Sequence, residues 1–250
     1  MLDHISWSQI NMWQRCPRSW FYRYVEGLKI RPSGALIEGS CYHTALEVNF
    51  KQKVISKEDL PVSDCLDIFA DAWDARLKQE EGIDWEDEDP GKLKDEGIWL
   101  VRTYIETTSP EVQPLEVEKP YVRKISGIPA VGVIDLTDVK ERVVDHKTSN
   151  RMFQQDEVDR DDQLTTYAFL KNRAIIGQVH VAIKPTKTLP PRIVVMRTYR
   201  TDAHIKWWLE MVKGILEQMK TGNAPPRPNG WWCSPRFCGF YPRCRGNLPM

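Results

Sequence analysis

Hydrophobic positions recur with helical spacing through the N-terminal half of the chain, then switch to strand-like alternation. Ser6 followed by Gln9 has the spacing of a capping box and predicts a helix over 7–24, interrupted at Pro17. A second helix is predicted over 36–50, where apolar Leu36, Ile37, Ala45, Leu46 and Val48 recur at roughly helical spacing. Ser63–Glu81 and Leu93–Thr107 read as amphipathic helices on either side of an acidic loop, Gly82–Gly91. Val112–Lys124 is strand-like and Ser126–Pro129 breaks it. Two β-type runs, Val131–Leu136 and Arg142–Lys147, then flank the polar Thr137–Glu141, which is the composition of a hairpin. A helix over 162–176 follows, with strands Val179–Lys184 and Arg192–Arg200 around the proline-rich turn 185–191. Asp202–Lys220 is a closing helix, and Asn223–Gly230 leads into a cysteine-rich tail. The pattern predicts a mixed α/β fold with a largely helical N-terminal half.

The hairpin carries the first candidate chemistry. Asp135 ends the first run, and Asp145 and Lys147 lie two apart on the second, so their side chains leave the same face of the strand. A carboxylate and an ammonium on one face, with a second carboxylate from the neighbouring strand, make a seat for a hard divalent cation. Mg²⁺ uses one or two carboxylates and keeps sites open for water or a phosphate oxygen, so the arrangement points to phosphodiester hydrolysis. Glu116 and Glu118 precede the hairpin, and either could assist; the sequence does not choose between them.

Composition narrows the setting. With 250 residues and 41% hydrophobic content, the chain is long enough for a full core. It has no apolar run of about 18 residues that could span a membrane, and no basic-then-apolar leader opens it. A cytoplasmic protein with few disulfides is expected. The formal net charge is zero, which counts against a uniformly basic nucleic-acid binder. The charges are segregated, however: seven acids fall within 80–89, and the last fifty residues hold seven Arg and Lys against three Asp and Glu, compatible with a local basic track for a polyanion.

Cys233, Cys238 and Cys244 form a second constellation within CSPRFCGFYPRC, and Cys16 in RCPRSW is the expected fourth member. Four thiolates hold either a tetrahedral Zn²⁺ or an iron–sulfur cluster, and spacing alone does not separate the two. Such a site would tie the chain ends across a loop of more than two hundred residues. Cys41 and Cys65 sit on helical patterns without partners and read as core thiols. Trp231 and Trp232 flank the tail beside arginines, where they could stack bases of a single strand.

Four ordered strings, SQINMWQRCPRSWFYRYVEGL, GSCYHTALE, GVID…VVDHKTS and QLTTYAF, resemble the motifs of RecB-like nucleases of the PD-(D/E)XK superfamily. The cysteine arrangement is similar to the iron–sulfur subset, which includes AddB-type subunits and small nucleases of CRISPR adaptation and phages. The resemblance implies a restriction-endonuclease-like core: a mixed central sheet flanked by helices, with a four-cysteine cluster joining the termini. It also implies a metal-dependent deoxyribonuclease, an exonuclease using Mg²⁺ or Mn²⁺, with a structural [4Fe-4S] cluster on Cys16, Cys233, Cys238 and Cys244 (Zn²⁺ as the alternative). By the same resemblance His43, Asp135, Asp145 and the main-chain carbonyl of His146 hold the metal. Lys147 is the motif lysine, and Gln163 and Tyr167 form a QxxxY pair that contacts substrate from one helix face. DNA, single-stranded or with single-stranded ends, is the implied substrate, with protein partners in recombination or CRISPR adaptation and no membrane association.

The expected organisation is a single nuclease domain over 1–250. Within it, 1–30 and 222–250 form a metal-cluster subdomain, 51–110 a helical insertion, and 111–201 the catalytic sheet with the QxxxY helix. The alternative is a non-catalytic nucleic-acid-binding subunit of a larger complex; the complete His/Asp/Asp/Lys set argues against it. No Walker A motif is present, so a helicase motor would have to be another polypeptide.

Overall fold

The computed structural model describes residues 2–85 and 87–246. The last four residues of the expected 222–250 segment therefore lie outside the described part. In chain order the elements are β1 (Ile5–Ser6), α1 (Trp7–Arg15), α2 (Pro17–Trp20), a π-helical turn (Phe21–Val25), α3 (Gly34–Ser56), α4 (Val62–Gln79), α5 (Pro90–Thr107), β2 (Pro114–Ile125), β3 (Ile128–Asp138), β4 (Val143–Ser149), α6 (Gln155–Asp159), α7 (Asp162–Lys171), β5 (Ile175–Ile183), β6 (Arg192–Arg200), α8 (Asp202–Lys220) and α9 (Tyr241–Arg245). Among the described residues the strands form one six-stranded mixed sheet in the order β1-β3-β4-β5-β6, with β2 also pairing β3.

Two apolar cores lie on opposite faces of the sheet. One joins α1, α7 and α8 to the sheet through residues such as Trp13, Leu164, Val179 and Trp208. The other joins α3, α4 and α5 through Tyr42, Leu46, Phe69, Leu100 and Tyr104, closing on Leu136, Val144 and Ala182. Successive β4 residues alternate between these faces: Val143 enters the first core and Val144 the second. This is an α/β fold with a mixed sheet flanked by helices.

The β3–β4 pairing decides where the site lies. These strands pair at Leu136↔Val144 and Thr137↔Val143, and the ladder ends there. The next pair outward would have been Asp135 and Asp145. Beyond that point β4 continues alongside β5 in parallel, from Val143↔Gly177 to Ser149↔Ile183. The two aspartates therefore stand where neighbouring strands part, which opens room between carboxylates that a continuous ladder would close.

Several boundaries differ from the sequence expectation, each for a local reason. The helix expected over 162–176 ends at Lys171, because Asn172 takes a left-handed conformation (φ 56°) and returns Arg173 N–H to Ala168 O at 3.2 Å. Residues 175–176 then open β5. Ser126–Gly127, expected as a break, is a two-residue hairpin turn with both φ positive (49° and 84°), and it pairs β2 with β3 over nearly their whole length. Ser6 does cap α1 by accepting from Gln9 N–H, but the Gln9 side chain turns to His4 O and Trp20 Nε1 instead of closing a reciprocal box.

The α4–α5 contact is tight. A Cβ added at Gly97 would sit 2.1 Å from Cζ of the fully buried Phe69. Alanine favours a helix over glycine by about 1 kcal/mol, but the overlap with an enclosed ring outweighs it. Gly97→Ala is expected to destabilise the protein by about 1–3 kcal/mol, read by denaturant unfolding; a more stable variant would show that this packing can yield.

Candidate active site

The end of the β3–β4 ladder gathers side chains from four elements. Asp135 accepts the main-chain N–H of His146 at 2.9 Å through Oδ2, and His43 Nδ1 on α3 lies 3.6 Å from the same oxygen. On the other face of β4, Lys147 Nζ stands 2.8 Å from Asp145 Oδ2 and donates to Gln163 Oε1 of α7 at 2.8 Å. Gln163 in turn donates to the Tyr167 hydroxyl at 2.7 Å. The QxxxY helix is thus tied to the lysine, not merely adjacent to it. Its N-terminus is fixed by Asp161, which caps Gln163 N–H at 2.8 Å, and by buried Arg200, which donates to Val158 O and Asp161 O.

Glu118 is the residue that the sequence left undecided. Among the described residues, His43, Glu118 and Asp135 form the one trio of potential metal ligands whose donor atoms all lie within 4.8 Å of one another. Glu118 sits in mid-strand with φ +47°, a left-handed conformation that costs a non-glycine residue of order 1–3 kcal/mol. Glu116 is engaged elsewhere, with Lys119, Tyr121 and Lys171. Although burial works against it, those three partners hold its carboxyl down at about 2. Strict alternation along a strand hides such a choice; only the turned backbone at 118 reveals it.

Electrostatics separate the three carboxylates at the ladder's end. Burial raises Asp145, with Lys147 opposing and Asp135 adding to the effect. Asp135 is lowered: burial opposes this, but hydrogen bonding from His146 and the neighbouring imidazoles overcome it. Burial keeps His43 below the ordinary imidazole range, which leaves it neutral and able to act as a ligand at pH 7. Lys147 is raised in spite of its burial because Asp145 holds its proton. Asp145 is only 1% exposed, and neither of its oxygens receives a hydrogen bond, since Lys147 approaches out of line. Buried carboxylate oxygens without a donor are unusual and need a partner, which fits a cation-binding role for this donor set.

Of the expected set, His43 and Asp135 meet at one carboxylate oxygen, and Asp145, Lys147, Gln163 and Tyr167 form a separate chain of contacts on the neighbouring face of β4. A family model of the PD-(D/E)XK nuclease superfamily matches residues 4–245. The chain belongs to that superfamily. Among solved structures, this PD-(D/E)XK chain is similar to a protein named "Putative exonuclease" from Eubacterium rectale. The two share 13% identity over 99% of this chain and 90% of the other, with a TM-score of 0.60. A protein named SSO0001 is 15% identical over 89% of each chain, with a TM-score of 0.40. A search of the curated proteins found no significant match.

The cysteines depart from expectation. Cys16, Cys233, Cys238 and Cys244 are free thiols and do not close into a compact ligand cluster: no three of their sulfurs lie within 4.8 Å of one another. They do line one cavity of about 170 Å³, together with Arg18, Tyr22, Trp232 and Tyr241. Cys41 and Cys65 are buried in the helical core, and burial pushes both thiols up to about 11. Trp231 is exposed and packs edge-on against Phe237 with Arg15 over its ring, while Trp232 is half-buried against it. Both belong to the tail surface, not to the carboxylate site.

Glu118 gives this site a pH signature. Burial, then the charges of Asp135 and Glu47, push its carboxyl up to about 7 against the opposing Lys51, above the unfolded value near about 4.3. A raised carboxyl favours the folded state fully below the unfolded pKa and loses that contribution as pH rises through about 7. In EDTA, Glu118→Gln is therefore expected to raise the melting temperature at pH 8 and leave it nearly unchanged at pH 4.5. A variant that melts lower at pH 8 would contradict the placement.

Proposed function

We propose that the chain is a metal-dependent deoxyribonuclease, an exonuclease acting on DNA with single-stranded ends and using Mg²⁺ or Mn²⁺. The observation that carries this reading is a charge imbalance. Asp135, Asp145 and Glu118 are matched by one half-buried ammonium, Lys147, and a neutral His43, which leaves a deficit of two positive charges when all three acids are ionised. A divalent cation supplies that charge. His43, Glu118, Asp135, Asp145 and the main-chain carbonyl of His146 would hold it, all hard or borderline donors suited to Mg²⁺ or Mn²⁺. When bound, the cation supplies Lewis-acid polarisation of the scissile phosphate and a source of hydroxide.

The protein's own groups do the rest. Lys147, kept protonated by Asp145 and aimed by Gln163, stabilises charge developing on the phosphoryl oxygens. Gln163 and Tyr167 present an amide and a hydroxyl on one helix face, where they orient the strand being cut. The exonuclease assignment draws on the name of the Eubacterium rectale neighbour; a DNA substrate and single-stranded ends are part of the same reading.

The four-cysteine cavity is read as the seat of a structural [4Fe-4S] cluster. A lone Zn²⁺, with bonds of about 2.3 Å, would need sulfurs roughly 3.8 Å apart. No three of the four sulfurs meet within 4.8 Å, and together they line a cavity of about 170 Å³, which favours a larger inorganic core over a single ion in this reading. The Arg227 main-chain N–H points at Cys16 Sγ at 3.5 Å. Together with N–H groups of the 18–19 turn it brings that thiol below its ordinary pKa despite burial, which suits a thiolate ligand. Trp231, Trp232 and Arg15 beside this cavity would form the surface that guides the strand.

Purified protein with Mn²⁺ is expected to degrade linear DNA from its ends and to stop on EDTA addition. Lys147→Ala should lower kcat by about 10²–10³-fold, and Asp145→Asn should abolish activity. Wild-type rates in both variants would overturn the assignment. Anaerobically prepared protein should be brown, with iron and sulfide released by acid; a colourless protein holding zinc would replace the cluster reading.

A further inference from the structure

Gln163 is the second residue of α7, in the turn where the N–H groups of a helix have no intrahelical partner. Such an end frays unless other groups hold it. Yet Gln163 has to meet Lys147 Nζ through Oε1 at 2.8 Å and the Tyr167 hydroxyl through Nε2 at 2.7 Å at the same time. An ammonium only donates, so the amide has one usable orientation and cannot turn to compensate for a shift. The height of the α7 N-terminus over β4 therefore decides whether this bridge closes.

Arg200, the last residue of the edge strand β6, reaches under this junction and is only 2% exposed. Its Nε donates to Thr165 Oγ1 at 2.9 Å, inside α7 and halfway between Gln163 and Tyr167. Nη2 donates to Val158 O of α6 and to Asp161 O, on the residue that caps α7, both at 2.9 Å. Nη1 donates to Thr198 Oγ1 at 2.6 Å and to Tyr199 O at 3.1 Å on its own strand. All three nitrogens of one rigid plane are thus engaged, each toward a different element. A lysine here would bring a compact ammonium that cannot serve helix, junction and strand together. None of these acceptors is a carboxylate, although Asp161, Asp159 and Asp162 lie near enough to offset the charge. The guanidinium is used for its shape.

We infer that Arg200 is a positioning residue for Lys147: its guanidinium locks the α6–α7 junction, which sets the height of Gln163 and so the place of the lysine ammonium. That role rests on the ones proposed for Lys147 and Gln163. Lys171 provides the contrast. At the far end of α7 it donates to Glu116, Tyr121 and Thr137, about two turns from Gln163, so it holds the helix without setting that height. Misplacing a reacting group by about 1 Å can cost about 10²-fold in rate, and residues that act through one another are non-additive when removed together.

The test has two arms. With Mn²⁺ and linear DNA, at a temperature where both variants stay folded, Arg200→Lys should lower kcat by about 10–100-fold while Lys171→Met stays within about threefold of wild type. In a Gln163→Ala background Arg200→Lys should have no further effect. Equal losses in Arg200→Lys and Lys171→Met, or full additivity with Gln163→Ala, would overturn the proposal. If Arg200→Lys does not fold, Thr165→Val, which keeps the shape and removes only the Nε acceptor, carries the same cycle with a loss of about 3–10-fold; a wild-type rate there would overturn it. The second arm needs no activity. In hydrogen exchange of the metal-free protein, Arg200→Lys should speed the Gln163 main-chain amide about tenfold more than that of Phe169, in the second half of α7. Uniform acceleration along α7 would contradict the inference. If the wild-type protein cuts no DNA, the nuclease reading fails, while exchange still decides what Arg200 holds.

Discussion

Two carboxylates on neighbouring strands, both taken out of water where the strands part, are the constraint around which the rest of the molecule is arranged. Like charges so placed repel and lose hydration, and a protein tolerates this only when surrounding groups over-determine it. Asp135 is met by a main-chain N–H and an imidazole; Asp145 is met by a lysine that lies out of line for a hydrogen bond. Glu118 makes the local repulsion worse, and its backbone is turned into an unfavourable region beside it. This arrangement carries a standing stability cost, and under the proposed reading it would place ligands in advance of a cation.

The fold supplies the rigidity that such a site needs. α3 brings His43 from one face of the sheet, and α7 brings Gln163 and Tyr167 from the other. Alternation along β4 sends Asp145 and Lys147 toward α7 and His146 toward α5. A single strand thereby presents the proposed catalytic groups on one side and buried polar side chains on the other. Buried Arg200 donates to Val158 O and Asp161 O ahead of the QxxxY helix and to Thr165 Oγ1 within it. The cavity lined by the four thiols lies between the first helices and the tail.

Much of this was legible in the sequence because it rests on short, periodic signals. The hairpin around 137–141, the two-residue offset of Asp145 and Lys147, and the four-residue offset of Gln163 and Tyr167 each fix a face directly. Membership of the PD-(D/E)XK superfamily and the mixed α/β architecture agree with that reading. What could not be read depends on long-range geometry. Glu118 and Glu116 have the same parity on β2, and only a backbone twist at 118 separates a site residue from a salt-bridge partner. Arg200 reaches Thr165 and Asp161 across 35 and 39 residues from the end of an ordinary strand pattern. The end of α7 turned on Asn172, whose left-handed conformation overrode the continuing apolar run into Ile175 and Ile176. The spread of the four thiols likewise depends on where tail and first helices settle.

The central claim is that these buried acids constitute a divalent-cation site, and equilibrium Mn²⁺ binding tests it most directly. Calorimetric titration at pH 8 should show saturable binding, and thermal unfolding should rise with Mn²⁺ by an amount worth about 2.7 kcal/mol at a hundredfold excess over Kd. Both effects should vanish in Asp145→Asn while that variant, freed of a buried charge, melts higher than the wild type in EDTA. Absence of Mn²⁺ binding at millimolar concentration, or undiminished binding in Asp145→Asn, would contradict the account.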